Sequence, residues 1–213
     1  MPLHTTDALI LRTYKLGESD RIVVFLTRDR GKKRGVAKNA RQSRRRFGGA
    51  LEPMTYGRVG YVERERRDLV RLEYVEQLRS PLSAVDGAAL GYVSYFAELI
   101  DEWAQEADPN ETLFRLGVSM VDAIGVGVPI EPLARYFEYW LLRLQGVYEL
   151  DPQLSAEARA FLLTARGVSP FGLGGVTVSA HTLRELEASH RVRIAMHLEK
   201  DLKSIRVLRE MRR

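Results

Sequence analysis

Between Arg28 and Arg46 the chain carries ten basic residues, Arg28, Arg30, Lys32, Lys33, Arg34, Lys38, Arg41, Arg44, Arg45 and Arg46, against one acid, Asp29. Like charge packed this densely repels itself until a counter-charge arrives, and a phosphate backbone supplies one. Neutralising each phosphate releases condensed cations, so binding of this kind weakens steeply with salt. The chemistry implied is capture of a polyanion, with no bond made or broken. Aromatic rings beside the charges would add base stacking, each worth roughly 1–3 kcal/mol in single-strand binders. Tyr14, Phe25, Phe47, Tyr56, Tyr61 and Tyr74 are available in this part of the chain. Phe47, between Arg46 and Gly48-Gly49 in a stretch that is not strand-like, is the first choice. The plainer alternative is a solvated basic loop, or an arm for acidic protein surfaces.

Patterns that would make or break bonds do poorly. The chain has no cysteine, so disulfides and thiolate zinc sites are excluded. His4, His181, His190 and His197 are scattered, and the last two would stand roughly 10 Å apart on a helix, too far to share a metal. Gly31-Lys32 lacks the preceding glycine and the following Ser or Thr of a P-loop. Gly125-Val126-Gly127 follows a helical pattern and reads as its stop, not as a dinucleotide loop. Ser19 and Ser169 lack the second glycine of a nucleophile elbow. Glu63, Glu65 and Asp68, interleaved with Arg64, Arg66 and Arg67, read as a solvated charged turn rather than a carboxylate pair. The expectation is a binding protein with no catalytic residue, metal or cofactor.

The elements that must hold this charge fall into two kinds. Residues 1–80 carry a net charge of +9 and residues 81–213 a net of −4, so one half is fitted to meet a polyanion and the other is not. The basic half reads as strands: Thr6–Lys15, Asp20–Arg28, Arg34–Lys38, Thr55–Glu63 and Leu69–Gln77, with Leu16–Ser19 as a turn. Ile22–Leu26 is apolar on both faces, as in a strand buried on two sides. Short strands with a long basic connection after the third predict a small five-stranded barrel of the OB-fold type. From Pro81 the period becomes helical, with successive stripes at Tyr92–Trp103, Leu113–Ile124 and Leu133–Leu144, and a further helix over Ser155–Thr164. A last helix is expected from about His190 to the end, with Ile194, Leu198, Leu202, Ile205 and Leu208 on one stripe. The fold class is thus α+β, with a barrel over residues 1–80 and a helical domain over residues 81–213. Hydrophobic residues at 45% fit a globular chain, and the longest uncharged run, Gly167–Leu183, contains Pro170 and four glycines and cannot span a membrane. The start of the chain lacks the pattern of a secretory signal, so a soluble, cytoplasmic protein is expected.

Gly17-Glu18-Ser19-Asp20-Arg21 before a strand, then Gly31-Lys32-Lys33-Arg34-Gly35-Val36-Ala37-Lys38, then Arg45-Arg46-Phe47-Gly48-Gly49-Ala50-Leu51-Glu52-Pro53, resemble the RecO family of DNA repair proteins in order and spacing. Lys203-Ser204-Ile205-Arg206 is similar to that family's closing helix. The resemblance implies an N-terminal OB-fold, a helical domain and annealing of complementary single strands. It also implies help in loading RecA together with RecR onto strands coated by single-stranded DNA-binding protein, whose acidic tail is contacted. Single- and double-stranded DNA are the expected polyanions, and the nucleoid the expected place. Many family members carry a four-cysteine zinc ribbon. Here Val178 and His181 stand at its second half and the first pair is missing, so a zinc-free loop or hairpin is expected at about residues 151–181. Arg135 and Arg143 are candidates to meet an acidic tail, with plain solvation as the alternative. Two other functions compete: a general RNA- or single-strand-binding module, and a protein adaptor with a basic arm.

Overall fold

Alternation along the first two strands sets the architecture. On β1 (Leu3–Leu16) and β2 (Asp20–Thr27), Ala8, Ile10, Val23 and Phe25 point into one core, while Leu9, Leu11, Val24 and Leu26 point into another. Side chains on a strand alternate between faces, so an apolar run buried on both sides must be covered twice. The computed structural model describes residues 2–63, 68–85, 87–200 and 202–211. With β3 (Gly31–Ala37), β4 (Tyr56–Val62) and β5 (Val70–Arg79), the strands close a barrel in the order β1-β2-β3-β5-β4. All neighbours are antiparallel except β3 and β5, which pair in parallel. That Greek-key closure is the OB-fold. β3 starts earlier than expected because Gly31, at φ +68, makes the turn and Lys32 and Lys33 enter the ladder. The expected charged turn between β4 and β5 lies, over residues 64–67, outside the described residues.

The chain passes from sheet to helix at a single 3₁₀ turn, Pro81–Ser83, opened by the Ser80 cap. The helices α1 (Gly87–Trp103), α2 (Glu111–Gly125) and α3 (Ile130–Leu144) follow. They bury the apolar stripes read from the sequence, and Leu9, Leu11, Val24, Leu26 and Met54 of the barrel half join the same core. Gly117 on α2 permits this contact, since a Cβ there would lie 2.7 Å from a Leu9 methyl and 2.9 Å from Ile100.

Two expectations need correction. α4 (Ala156–Gly167) is the helix expected from Ser155, but no strand pairing occurs over residues 151–181 among the described residues; of the loop or hairpin expected there, the loop is found, with a 3₁₀ turn at Pro170–Gly175. The final helix is also two: α5 (Ala180–Leu198) begins ten residues before His190, and α6 (Lys203–Met211) follows a break at Glu199, which is left-handed at φ 52. The stripe itself is sound, since Ile194, Leu202 and Leu208 are buried and Leu198 and Ile205 pack beside them. Hydrophobic period fixes the face but does not see a single-residue turn.

α4 and α5 hold each other by reciprocal caps. Ser155, at the start of α4, donates its N–H and hydroxyl to the Glu185 carboxylate of α5, each at 2.6 Å. Ser179, at the start of α5, donates in the same way to Glu157 of α4 at 2.9 Å, and the Thr182 hydroxyl adds a bond of 2.6 Å. Each carboxylate satisfies otherwise unpaired amides at a helix start, where the dipole also favours negative charge. Zinc is not needed to pin this pair. The Thr182 hydroxyl and the Ser179 groups hold the Glu157 carboxyl below its ordinary range. A depressed carboxyl contributes stability that is present above the unfolded value, about pH 4.3, and lost as the pH falls through the folded one. Glu157→Gln should therefore lower the melting temperature at neutral pH and flatten the loss of stability on acidification below about pH 4.3. An unchanged acid-melting curve would remove Glu157 from this role.

Candidate nucleic-acid interface

The barrel has an interior that its strands alone do not fill. Phe47, Ala50 and Leu51, from the connection between β3 and β4, complete it beside Phe25, Val59, Leu72 and Val75. Phe47 is 1% exposed and cannot stack on a base, so the sequence choice of Phe47 as a stacking ring is corrected: it is a plug. The connection is tied down on all sides. Its backbone donates from Ser43 to Asn39 and from Phe47 to Ser43, takes a bond from Val75 N–H at the Arg46 carbonyl, and meets the Ser19 carbonyl through Arg41 N–H. Asp20 accepts from the Asn39 N–H at 2.8 Å, and Asn39 takes the left-handed conformation at φ 54.

This anchoring sorts the basic run. Arg46 is half-buried: its guanidinium donates to the Ser43 hydroxyl and the Lys38 carbonyl and lies 5.0 Å above the Phe47 ring. It clamps the plug. Arg41 donates to the Glu18 carbonyl yet stays exposed, as do Lys38, Arg44 and Arg45. None of these four forms an ion pair among the described residues. Lys32 is turned inward, donating to the Asp101 carbonyl and pairing with its carboxylate at 3.2 Å. Lys33 pairs with Glu63 at 2.9 Å, and that bond holds the Glu63 carboxyl below its ordinary range. Arg28 and Arg30 are exposed at the β2–β3 turn, where they pair with Glu111 and Asp29, and the buried Thr27 hydroxyl builds that turn. Surface pairs such as these contribute little and exchange readily. The run is therefore not one patch. β3 separates Arg28 and Arg30 from Lys38, Arg41, Arg44 and Arg45 by roughly 20 Å, with Arg34 exposed between.

Cross-strand register exposes a surface that composition did not reveal. Tyr14, Ile22 and Val36 pair across β1, β2 and β3, so their side chains share one outer face. Arg12, Val24 and Arg34 form the adjacent row on that face. The helices cover Val24 but stop short of the first row, leaving Tyr14 at 41% exposure. Arg12 lies 5.6 Å over the Tyr14 ring. Burial works against the Arg12 charge, but Asp101 and Glu102 outweigh it, and the guanidinium is held firmly protonated. A basic row beside an aromatic and aliphatic row is the arrangement that takes phosphates and stacked bases together. Among the other rings, Phe25 and Tyr61 are buried, while Tyr56 and Tyr74 engage Asp7 and Thr5 through their hydroxyls. Tyr14 stood among the six aromatic candidates; Ile22, Val36 and Arg12 did not, because their face depends on register.

The helical half offers less than expected. Arg135 is corrected: it is buried, paired with Glu138 at 2.9 Å and Glu187 at 3.3 Å, and so cannot meet a tail. Arg143 is exposed over the Tyr139 and Trp140 rings. His190 is buried against Glu138, and His197 stacks on Trp103. No cluster of metal-ligating side chains occurs among the described residues, and no described helix is long and apolar enough to cross a membrane.

Fold and surface together define a protein of the OB-barrel class with a polycationic face and a fused helical domain. Residues 1–81 match the family model described as Recombination protein O N terminal, and residues 84–159 match Recombination protein O C terminal. The DNA repair protein RecO of Koribacter versatilis (strain Ellin345) is 46% identical over 148 residues, which cover 68% of this chain and 59% of that one. The DNA repair protein RecO of Anaeromyxobacter sp. (strain K) is 39% identical over 168 residues, covering 78% and 65%. That of Geobacter metallireducens is 32% identical across 97% of both chains. The chain belongs to the RecO family of DNA repair proteins. It spans about three fifths of the Koribacter relative's length and two thirds of the Anaeromyxobacter one's.

Phe47→Ala should cost about 3–5 kcal/mol in chemical denaturation, the usual range for emptying a buried aromatic site. Tyr14→Ala should leave stability within about 0.5 kcal/mol but weaken single-strand binding by roughly 1–3 kcal/mol. The reverse pattern would restore Phe47 as the stacking ring.

Proposed function

We propose that this chain binds single-stranded DNA on the barrel's exposed cationic surface and anneals complementary strands. Arg28, Arg30, Arg34, Lys38, Arg41, Arg44 and Arg45 supply the contacts to phosphate, with Tyr14 beneath a base. Lys32, Lys33 and Arg46 shape that surface from within. In this reading the protein works with RecR to help load RecA onto strands covered by single-stranded DNA-binding protein, and the helical half takes that protein's acidic tail. Double-stranded DNA is a second substrate, and the nucleoid is the place of work. Family membership supports the repair role, and the observation that carries the binding role is the anchored, outward-facing row of Lys38, Arg41, Arg44 and Arg45.

The mechanism is electrostatic. Two strands repel each other, and a dense cationic surface lowers that repulsion while it displaces the strands' own counterions. Contacts to phosphate leave the base edges free to find complements. Neither ATP nor a metal enters any step, and no covalent bond changes.

The test is annealing of complementary oligonucleotides without nucleotide or metal. The combined variant Lys38→Glu, Arg44→Glu, Arg45→Glu spares the Arg46 clamp and the Phe47 plug. It should slow annealing on the order of tenfold or more at moderate salt, with melting unchanged. Full annealing by this variant would overturn the assignment. Preference for RNA of the same sequence would point instead to a general RNA-binding module. Capture of the acidic tail with no oligonucleotide shift at any salt would point to an adaptor.

A further inference from the structure

The charge of the helical half is unevenly placed. Residues 81–190 carry a net of −9, while residues 191–213 carry eight Lys or Arg against three acids, a net of +5. Such a cationic end on an acidic body is a localised field, not a balanced surface. Among the described residues, Arg191, Lys200, Lys203 and Arg206 of this segment come together where α5 meets α6. A groove of about 600 Å³ lies there, with Arg191, Lys200, Lys203 and Arg206 on its walls and Ile194 and Ile205 on its floor. Lys203 and Arg206 are exposed and form no ion pair among the described residues. The start of α6 is held from α1. Glu98 of α1 accepts the N–H groups of Lys203 and Ser204 at 3.0 and 2.8 Å, fixing the start of α6.

This groove adjoins the barrel's outer face. Glu102, at the end of α1, is shared by two cations: Arg12 of β1 at 3.7 Å and Lys200 of the α5–α6 turn. Arg12 also covers the Tyr14 ring, so one carboxylate stands between the exposed Tyr14 and the groove. Cations on either side of a single acid are close enough to contact neighbouring phosphates of one strand.

We propose that the nucleic-acid track does not end at the barrel but continues past Arg12 and Lys200 into the α5–α6 groove, which takes a further stretch of the same polynucleotide backbone. The inference rests on the binding reading above. It adds a second contact region and a dependence on strand length: a short oligonucleotide is held by the barrel alone, and a longer one reaches the groove. Charge complementarity favours a polyanion as occupant, and continuity with the barrel face favours the strand already bound there.

The test compares the unaltered chain with the combined variant Arg191→Ala, Lys203→Ala, Arg206→Ala, using a short and a long oligo(dT) over a salt series. For the long strand, removing three phosphate contacts should lower the slope of log affinity against log salt by about 2, at roughly 0.7 per contact. Binding of the short strand and the melting temperature should be unchanged. Should the long strand lose nothing in slope or affinity, the extended track is overturned. Loss confined to an acidic, apolar-tipped peptide would overturn it likewise and mark the groove as a peptide site. A variant that loses both strands equally contradicts a separate second region. No binding of either strand by the unaltered chain would instead bring down the underlying DNA-binding reading.

Discussion

Closing a five-stranded barrel leaves an interior that must be filled, and in this protein the filling comes from outside the strands. Phe47, Ala50 and Leu51 enter from the β3–β4 connection and complete the hydrophobic cluster. A fully buried phenylalanine is worth several kcal/mol, which is enough to fold a long connection back onto the barrel and hold it. Once Phe47 is inside, Arg46 must lie at the surface of the plug, where it closes a ring of hydrogen bonds to Ser43 and Lys38. The remaining cations of the connection, Lys38, Arg41, Arg44 and Arg45, then form no ion pair among the described residues, and Arg41 is held by the Glu18 carbonyl while it stays exposed. Their outward display follows from the plug.

A second constraint joins the barrel to the helices. α1 ends in Asp101 and Glu102, with no basic residue in its last turn, which is unfavourable against the helix dipole. Arg12 and Lys32 from the barrel and Lys200 from the α5–α6 turn supply the missing positive charge. Gly31 allows the segment after α1 to reach β3, since a Cβ at that position would lie 2.4 Å from the Asp108 backbone. Lys32 then exchanges backbone bonds with Gln105 and Ala107. Two members of the basic run are consumed in this way, Lys32 by the helices and Lys33 by Glu63. A count of charges along the sequence overstates what a ligand meets.

The sequence read well where the signal was periodic. Along Ile22–Leu26 both faces are apolar because Val23 and Phe25 fill the barrel while Val24 and Leu26 join the helical core, and the stripes of the first three helices are the buried ones. It read poorly where one residue decides. Glu199 breaks the last helix by adopting a left-handed conformation that no pattern announces. Ser155 and Ser179 begin helices capped by glutamates more than twenty positions away, so the helix from Ser155 is legible in the sequence but the bonds that hold it to α5, in place of a hairpin, are not. Phe47 was misjudged because its neighbours are turn-like; a ring among glycines and arginines gives no sign of facing inward. Arg135 looked like a surface cation, but its partners Glu138 and Glu187 are an i,i+3 neighbour and a residue of another helix. The outer-face row of exposed Tyr14 and half-buried Ile22 and Val36 exists only through register between strands, and register follows from the turns and the bulge between Ile10 and Arg12.

Lysine chemistry separates the outward cations from those the fold has consumed. An amine-reactive label, read residue by residue by mass spectrometry, compares the free chain with the chain saturated by oligo(dT) at low salt. Lys38 should be labelled quickly when free and shielded when the strand is bound, while Lys32 and Lys33 stay slow in both states behind Asp101 and Glu63. Equal labelling of Lys38 with and without the strand, or Lys32 as reactive as Lys38, would contradict a plugged barrel that turns its free charge towards nucleic acid.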